Sequence, residues 1–247
     1  QGACNVIYGR DIPTIMVDGG SSDVKDVYKY RIRPFLLSNG ISEIDYLFVT
    51  HPDTDHISGV KELLSDELKE VNVKHQFVSV EDGIEIIMGS KEKTGDGHSL
   101  SPRNDEKTGF EKADFVHIIS KGDRIENGSI TIECLSPENK GVSVPTGEGN
   151  KREESLNDMS LVLKVMYEND KNHFTMLYTG DISSEVEQAL INDSQIKDKL
   201  KNIDYLSVPH HGSKYSSSEQ FINTVNPKVS VISSGKNNSY GHPHKET

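Results

Sequence analysis

The sequence lacks three features that would each point to a particular class of protein. It has two cysteines in 247 residues, too few for a disulfide framework, so Cys4 and Cys134 are expected to be buried free thiols. No run approaches the roughly 20 apolar residues that span a bilayer. Positive charge is also scarce: 27 Lys and Arg against 39 Asp and Glu give a net charge of −12. This balance disfavours a broad electrostatic attraction to nucleic acid or an anionic membrane, although bound cations or a local basic groove would supply one.

What is present fits a globular chain with a sizeable core. The composition is 33% hydrophobic and 27% charged, and we expect one domain over residues 1–247, which could be a fragment of a longer protein because the chain starts without Met. Two polar segments, 91–112 and 137–157, interrupt the pattern. They are interpreted as surface loops, with the alternative that they border an active site and select its substrate.

Apolar periodicity predicts interleaved strands and helices. A hairpin is expected over 5–8 and 14–17, then a helix over 24–36 that Pro34 should kink or split and Gly40 should end. A buried strand over 44–50 leads into a helix near 60–64. Further strands are predicted near 76–80, 115–119, 130–135, 161–167, 174–179, 205–208 and 229–233, with a hairpin turn at 169–172 and helices over 184–191 and 217–225.

The most informative motif is His-Pro-Asp-Thr-Asp-His at residues 51–56, directly after a predicted strand. In an extended chain, alternate side chains share a face, so His51, Asp53 and Asp55 should point the same way, and a turn into the next helix should bring His56 beside them. Imidazole nitrogens and carboxylate oxygens are ligands for Zn²⁺, Mn²⁺ or Fe²⁺. The alternative, a solvated turn with one Asp capping the helix, explains one carboxylate but not four such groups together. The motif therefore predicts a metal site, and its size favours two ions.

Three later clusters carry further candidates. Asp181 follows a strand at the mouth of a helix, where it would either cap the helix or bridge two cations. His210 and His211 stand at a predicted strand end, followed by a glycine that would let the backbone approach a ligand closely. His242 and His244 lie in a Gly-His-Pro-His turn and are weaker candidates.

In this order, the clusters resemble the metallo-β-lactamase superfamily. The shared phrases are Asp-Gly-Gly at 18–20, the motif at 51–56, Gly-Asp at 180–181 and His-His-Gly-Ser at 210–213. More narrowly, the chain resembles the metallo-β-lactamase-like domain of the ComEC family of DNA-uptake competence proteins. Supporting segments are 1–3, 122–125, 157–163 and 240–244. The resemblance covers nearly the whole chain apart from the two polar segments.

The resemblance implies a four-layer αββα sandwich, with metals at one edge, and two divalent ions, Zn or Mn. One ion would be held by His51 and Asp53 and the other by Asp55 and His56. Asp181 would bridge the two ions. Of the His pair, His211 is expected to be a ligand of the second ion.

The remaining residues receive supporting roles from the same resemblance. His210 would act as an acid or contact phosphate, and His242 is the other candidate for protonating the leaving oxygen. Asp18 would orient a ligand histidine. Residues that hold a metal ligand in place or contact the substrate are therefore expected at Asp18, Asn157, Ser160 and His244.

The chain departs from the superfamily pattern in two places. The middle histidine of the usual His-x-His-x-Asp-His motif is Asp53, and the separate histidine that normally completes the first site has no obvious counterpart, since Asn-Asp-Met-Ser at 157–160 occupies that region. Similar departures occur in ComEC-like domains and in a phosphorylcholine esterase of the superfamily. A site richer in oxygen should tolerate Mn²⁺ better relative to Zn²⁺, and it argues against a β-lactamase proper.

These observations predict a two-metal phosphodiesterase or nuclease that acts on DNA. Basic residues near 91–112, 151–152 and 197–201 could line a local groove, although they interleave with acids. One alternative is hydrolysis of a small phosphodiester or a lactone, which should be insensitive to salt where DNA cleavage is not. Another is a metal-stabilised module that binds DNA or a partner without turnover.

Overall fold

The computed structural model describes residues 1–79, 115–138 and 156–247. The polar segment at 91–112, the basic pair at 151–152 and most of 137–157 lie outside these ranges. The described chain forms two compact units. We call residues 2–79 and 115–119 the N-terminal unit, and Gln1, 120–138 and 156–247 the C-terminal unit. Within the described ranges, no helix is long and apolar enough to cross a membrane.

The N-terminal unit is built on a five-stranded mixed sheet in the order β1-β2-β3-β4-β5. Its first two strands form the predicted antiparallel hairpin, and the other neighbours are parallel. The strand bounds are Asn5–Ile7, Ile15–Val17, Glu43–Phe48, Asn72–Val78 and Val116–Ile118. Strand β2 is apolar and fully buried, and β3 is apolar and buried over its last three residues, Tyr46–Phe48, as is usual for parallel strands covered on both faces.

Two helices complete this unit. The predicted first helix is split as expected: a π-helical turn over Tyr28–Ile32 runs into α1, Arg33–Ser38, with Pro34 in its first turn. Proline is tolerated there because the first N–H groups of a helix have no partner within it. Helix α2 spans Thr54–Ser65 and packs its apolar face, including Val60, onto the core.

The C-terminal unit has a six-stranded mixed sheet in the order β11-β10-β9-β8-β7-β6. Strands β6 to β9 form an antiparallel meander, whereas β9, β10 and β11 are parallel. The predicted turn at 169–172 joins β8 to β9. Strand β6 was missed because its alternating residues are mostly polar. The strand bounds are Arg124–Asn127, Ile130–Ser136, Val162–Glu168, His173–Tyr178, Tyr205–Ser207 and Val229–Val231.

Helices α3, Ser184–Asn192, and α4, Glu219–Val225, connect the parallel strands of this sheet. Helix α4 begins two residues later than predicted, because Ser217 has a left-handed φ of 62° and Ser218 caps the helix by accepting the Phe221 N–H. Phe221 is fully buried in the core of this unit.

The α/β class is confirmed, and in both units it determines where polar side chains collect. Loops that follow parallel strands meet at the carboxyl edge of a sheet, which is where open α/β sheets bind ligands. Asp18 follows β2 and the 51–56 motif follows β3 in the N-terminal unit. In the other unit, Asp181 follows β9 and the His pair follows β10.

The expectation for the cysteines is half wrong. Cys134 is buried and forms no disulfide, but Cys4 is exposed. Cys4 lies just before the edge strand β1, whose residues are all partly exposed, so the apolar neighbours in sequence do not enclose it.

Candidate functional site

In the N-terminal unit, two histidines of the 51–56 motif lie side by side in the interior. His51 belongs to the loop after β3 and His56 to the first turn of α2; both are 1% exposed. Their ring centroids are 4.0 Å apart. Two buried imidazoles need specific partners to offset the loss of water.

Asp18 and Thr50 supply those partners and determine which nitrogen of each ring carries the proton. The Nδ1 of His56 lies 2.8 Å from Oδ2 of Asp18, and a carboxylate only accepts, so Nδ1 carries the proton. The hydroxyl of Thr50 donates to the same Asp18 oxygen at 2.8 Å. Its oxygen therefore accepts from Nδ1 of His51 at 3.1 Å. In both rings Nε2 keeps its lone pair, the form in which histidine binds a metal.

Of the two aspartates of the motif, Asp55 is placed differently from expectation. Asp53 is extended, but α2 begins at Thr54, so the extended run predicted to reach Asp55 ends two residues earlier and Asp55 lies in the first helical turn. Asp53 occupies the N-cap position without a side-chain capping bond among the described residues; the capping alternative is therefore wrong for this residue. Its Oδ2 lies 3.6 Å from Nε2 of His51.

The glycines after Asp18 hold the backbone against the start of α2. Gly19 donates its N–H to the carbonyl of His56 at 2.8 Å. A Cβ at Gly20 would lie 2.6 Å from the backbone nitrogen of His56, closer than real Cβ atoms come. The Asp-Gly-Gly phrase is thus explained by a close approach of two backbones.

In the C-terminal unit, a buried carboxylate faces the His pair. Asp181 is 5% exposed, and its Oδ2 lies 3.3 Å from Nε2 of His211 and 3.9 Å from Nε2 of His210. Its backbone N–H donates to the hydroxyl of Ser160 at 3.1 Å. Helix α3 has Ser183 at its N-cap, so Asp181 is not the cap of this helix.

The backbone of the His pair is strained. His210 and His211 have φ angles of 48° and 54° within a short 3-10 turn, Pro209–Gly212. Left-handed non-glycine residues cost about 1–3 kcal/mol each and persist where the surrounding structure enforces them, often at functional sites. The Nδ1 of buried His211 donates to the carbonyl of Ser233 at 2.7 Å, which leaves Nε2 as the nitrogen that faces Asp181. The ring of His210 is partly exposed.

His242 and His244 lie beside the His pair. The ring centroid of His242 lies 5.6 Å from that of His210 and 4.9 Å from that of His244. Burial, together with the neighbouring histidines, lowers the pKa of His242 to about 4. His242 is therefore neutral near pH 7, which suits a hydrogen-bonding role better than proton donation. The Nδ1 of His244 accepts the backbone N–H of Lys214 at 3.1 Å.

A pocket of about 610 Å³ opens within this unit. Of the predicted residues, it brings together Asn157, Asp181, His210, His242 and His244. The other residues that line the pocket were not predicted as site residues; they are Asp158, Ser183, Glu185, Ser213, Lys214, Tyr215 and Tyr240. Two of these could have been found from sequence, since Tyr215 closely follows the His-His-Gly-Ser phrase and Tyr240 opens the Gly-His-Pro-His turn.

Comparison with known proteins agrees with this architecture. Residues 1–100, which include the Asp-Gly-Gly phrase and the 51–56 motif, match the family model of the metallo-β-lactamase superfamily. The chain belongs to the metallo-β-lactamase superfamily. The predicted metallo-β-lactamase fold class is thereby confirmed. Members of this superfamily are metal-dependent hydrolases, and their fold generally holds divalent ions, usually zinc.

Two curated relatives match most of this chain. The chain is 31% identical over 214 residues to ComE operon protein 3 of Bacillus subtilis, a match that covers 86% of this chain and 23% of the relative. It is 25% identical over 245 residues to Recombination protein 2 of Haemophilus influenzae, covering 96% of this chain and 24% of the relative. The chain thus spans about a quarter of the length of these relatives.

Among solved structures, the CmlA β-hydroxylase E377D mutant matches 93% of this chain and 43% of its own, with a TM-score of 0.50 and 11% identity. A B3 metallo-β-lactamase with an active-site glutamic acid matches 90% of this chain and 79% of its own, with a TM-score of 0.47 and 12% identity.

Proposed function

We propose that this chain is a two-metal phosphodiesterase that hydrolyses DNA. The observation that carries the proposal is the pair of buried histidines, His51 and His56, whose Nδ1 atoms are engaged by Thr50 and Asp18. This arrangement fixes both rings with the proton on Nδ1, which is the form in which Nε2 of a histidine can bind a metal.

The donor set of each unit fits a divalent cation. In the N-terminal unit, the two histidines are accompanied by Asp53 and Asp55, and in the C-terminal unit the carboxylate of Asp181 faces Nε2 of His211. We propose that these six residues are the metal ligands, with Zn or Mn as the bound ions. Asp53 stands where the superfamily motif has a histidine, and the added oxygen favours Mn²⁺ relative to Zn²⁺.

The residues around the donor set have separate tasks. Bound divalent ions would supply an activated water and neutralise charge on the phosphoryl oxygens. His210, partly exposed and lining the pocket, is placed to contact a phosphate or to protonate the leaving oxygen. Ser160 holds the backbone of Asp181, and Asp18 fixes the two histidine rings.

DNA is proposed as the substrate because one relative is named Recombination protein 2, and a further one, from Neisseria gonorrhoeae, is named Competence protein ComA. The net charge of −12 gives the chain no general attraction to a polyanion. Affinity for DNA should therefore come from the bound ions and from base contacts.

The test is cleavage of labelled single-stranded DNA by the protein loaded with Mn²⁺ or Zn²⁺. Asp181→Asn should lower the rate at least about a hundredfold, because a ligand carboxylate becomes a neutral amide. Asp170→Asn, a matched change in the hairpin turn between β8 and β9, should leave the rate unchanged.

Cleavage that is equal in Asp181→Asn and in the parent protein would overturn the proposed mechanism. If the folded, metal-loaded protein leaves DNA intact but hydrolyses a small phosphodiester such as bis(p-nitrophenyl) phosphate at a salt-independent rate, the substrate assignment is wrong. Binding without turnover of either compound would instead indicate a non-catalytic module.

A further inference from the structure

Two tyrosines in the lining of the pocket expose most of their rings. Tyr215 is 67% and Tyr240 65% exposed. Tyr215 is not on a loose loop, because its carbonyl accepts the Ser184 N–H at the start of α3, at 2.9 Å. Exposed aromatic faces beside a polar pocket are the usual platform for stacking an unpaired nucleobase.

Tyr240 is oriented in line with the proposed metal ligand. The rings of Tyr240 and His242 are tilted by 21° with centroids 5.6 Å apart. The rings of His242 and His211 are tilted by 25° with centroids 6.4 Å apart. These two contacts link His211 to the exposed tyrosine through the ring of His242. A base stacked on Tyr240 would thus add a further ring to this group.

Several hydrogen-bond acceptors are among the residues that line the pocket. Two buried atoms in it, Oδ1 of Asn157 and Nδ1 of His242, have no hydrogen-bond partner among the described residues. His242 is itself 9% exposed. The carboxylates of Asp158 and Glu185 also line the pocket. Carboxylates repel a phosphate but accept hydrogen bonds from amino groups. Asp158 and Glu185 therefore suit the base of a nucleotide, whereas His210 and Lys214 of the same lining suit its phosphate.

The volume is consistent with such a ligand. About 610 Å³ lies within the range of pockets that enclose a small organic ligand. Only an unpaired base can enter, because in a duplex both faces are stacked and the amino edge is paired.

We propose that this pocket binds an unpaired nucleobase with an exocyclic amino group, stacked on Tyr240 with its amino group towards Asn157, Asp158 and Glu185. The proposal deepens the proposed function and rests on it for the position of the scissile phosphodiester. Cytosine, adenine and guanine carry the amino donor, whereas thymine does not. The enzyme should therefore prefer single strands to duplexes and cytidine to thymidine at this position.

The absence of tryptophan from the chain provides a direct probe. Tyr240→Trp places a unique fluorophore on an exposed position at the pocket, and Tyr30→Trp does the same at a comparably exposed tyrosine of the N-terminal unit. Titration with dCMP and dTMP, which contain no phosphodiester to cleave, should quench the Tyr240→Trp signal saturably. We expect dCMP to bind about threefold to tenfold tighter than dTMP, since one hydrogen bond is lost. Tyr30→Trp should show no saturable quenching.

A second measurement uses the protein with its tyrosines. Binding of a labelled oligodeoxycytidylate with phosphorothioate linkages should weaken at least about fivefold in Tyr240→Ala, the lower bound for loss of one stacked base, and should be largely retained in Tyr240→Phe. Equal affinity of Tyr240→Ala and the parent, or equal affinity for dCMP and dTMP, overturns the proposal. Neither binding measurement depends on turnover, so the two proposals can fail separately. Tighter binding of dCMP than of dTMP without any DNA cleavage would contradict the proposed function alone. DNA cleavage with equal affinity for dCMP and dTMP would contradict the pocket assignment alone.

Discussion

Asp18→Asn separates the orientation of the buried histidines from the stability of the fold. The change keeps Oδ1, which accepts the Thr50 N–H at 2.8 Å, and Asn tolerates the left-handed φ of 58° at this position. It replaces Oδ2 by an amino group. That group faces the hydroxyl of Thr50 and Nδ1 of His56, both of which donate to Oδ2 in the parent protein.

The expected consequence is a change of tautomer. With a donor in place of Oδ2, the tautomer of His56 that carries its proton on Nε2 is favoured. The hydroxyl of Thr50 no longer donates to Oδ2, so its oxygen is no longer oriented to accept from Nδ1 of His51. A protonated Nε2 does not bind a metal, so metal affinity should fall about 10- to 100-fold, the usual cost of losing such an outer partner. The stability of the metal-free protein should fall less than in Asp18→Ala, where each buried donor left without an acceptor costs about 1–3 kcal/mol.

Competition with a chromogenic chelator gives the metal dissociation constant, and thermal unfolding of the chelated protein gives the stability. Thr50→Val serves as the matched comparison, since it removes the hydroxyl but keeps the carboxylate on His56 and should show a smaller loss of affinity. A dissociation constant for Asp18→Asn within about twofold of the parent would refute the tautomer argument.

Five further results are expected. Gly20→Ala should destabilise the protein by about 1–3 kcal/mol in urea unfolding, because the added methyl collides with the backbone of His56. Glu187→Leu should destabilise it more than Glu187→Gln in the same assay, since the buried carboxylate accepts two N–H groups at the start of α4. Burial raises the pKa of Glu187 in the folded state, so the folded protein binds this proton more tightly than the unfolded chain does. The parent protein should therefore lose stability relative to Glu187→Gln as pH rises from the pKa of Glu187 in the unfolded chain through its raised pKa in the folded state. His210→Gly should relieve the backbone strain of the left-handed φ and raise the free energy of unfolding by about 1 kcal/mol, which raises the melting temperature by a few degrees. The same change should lower the rate of DNA cleavage. Addition of a chelator should lower the melting temperature of the metal-loaded protein, and the decrease should be larger when the metal concentration before chelation is higher. An unchanged melting temperature would argue against bound metal.

The parts of the fold that could be read from sequence are those in which neighbours along the chain decide the structure. The first hairpin, the split at Pro34 and the turn at 169–172 follow from local backbone chemistry. The 51–56 motif was recognisable because four potential metal ligands, two His and two Asp, stand within six residues. Strand β6 escaped because its polar alternation gives no apolar signal, and α4 begins later because the φ of Ser217 is not encoded by residue type.

The site itself depends on contacts that sequence spacing does not reveal. Asp18 and His56 are 38 residues apart, and His211 and Ser233 are 22 apart. Each contact arises because both members follow strands of the same sheet. A pattern can name such residues as candidates, but only the strand order shows which acceptor each ring meets. The exposed tyrosines illustrate the same limit, since Tyr240 matters because it is near His242 in a folded pocket.

Two of the proposed ligand histidines, His56 and His211, are oriented by different kinds of hydrogen-bond acceptor. This difference should change how strongly each ring binds a metal. His56 is held by the carboxylate of Asp18, and His211 by the backbone carbonyl of Ser233. A charged partner makes a ring more basic than a neutral one does, so His56 should be the stronger donor to a cation. It is also the more vulnerable, because a side chain can be substituted and a carbonyl cannot. Substitution at position 18 should therefore affect metal binding far more than substitution at position 233, where the carbonyl persists whatever the side chain.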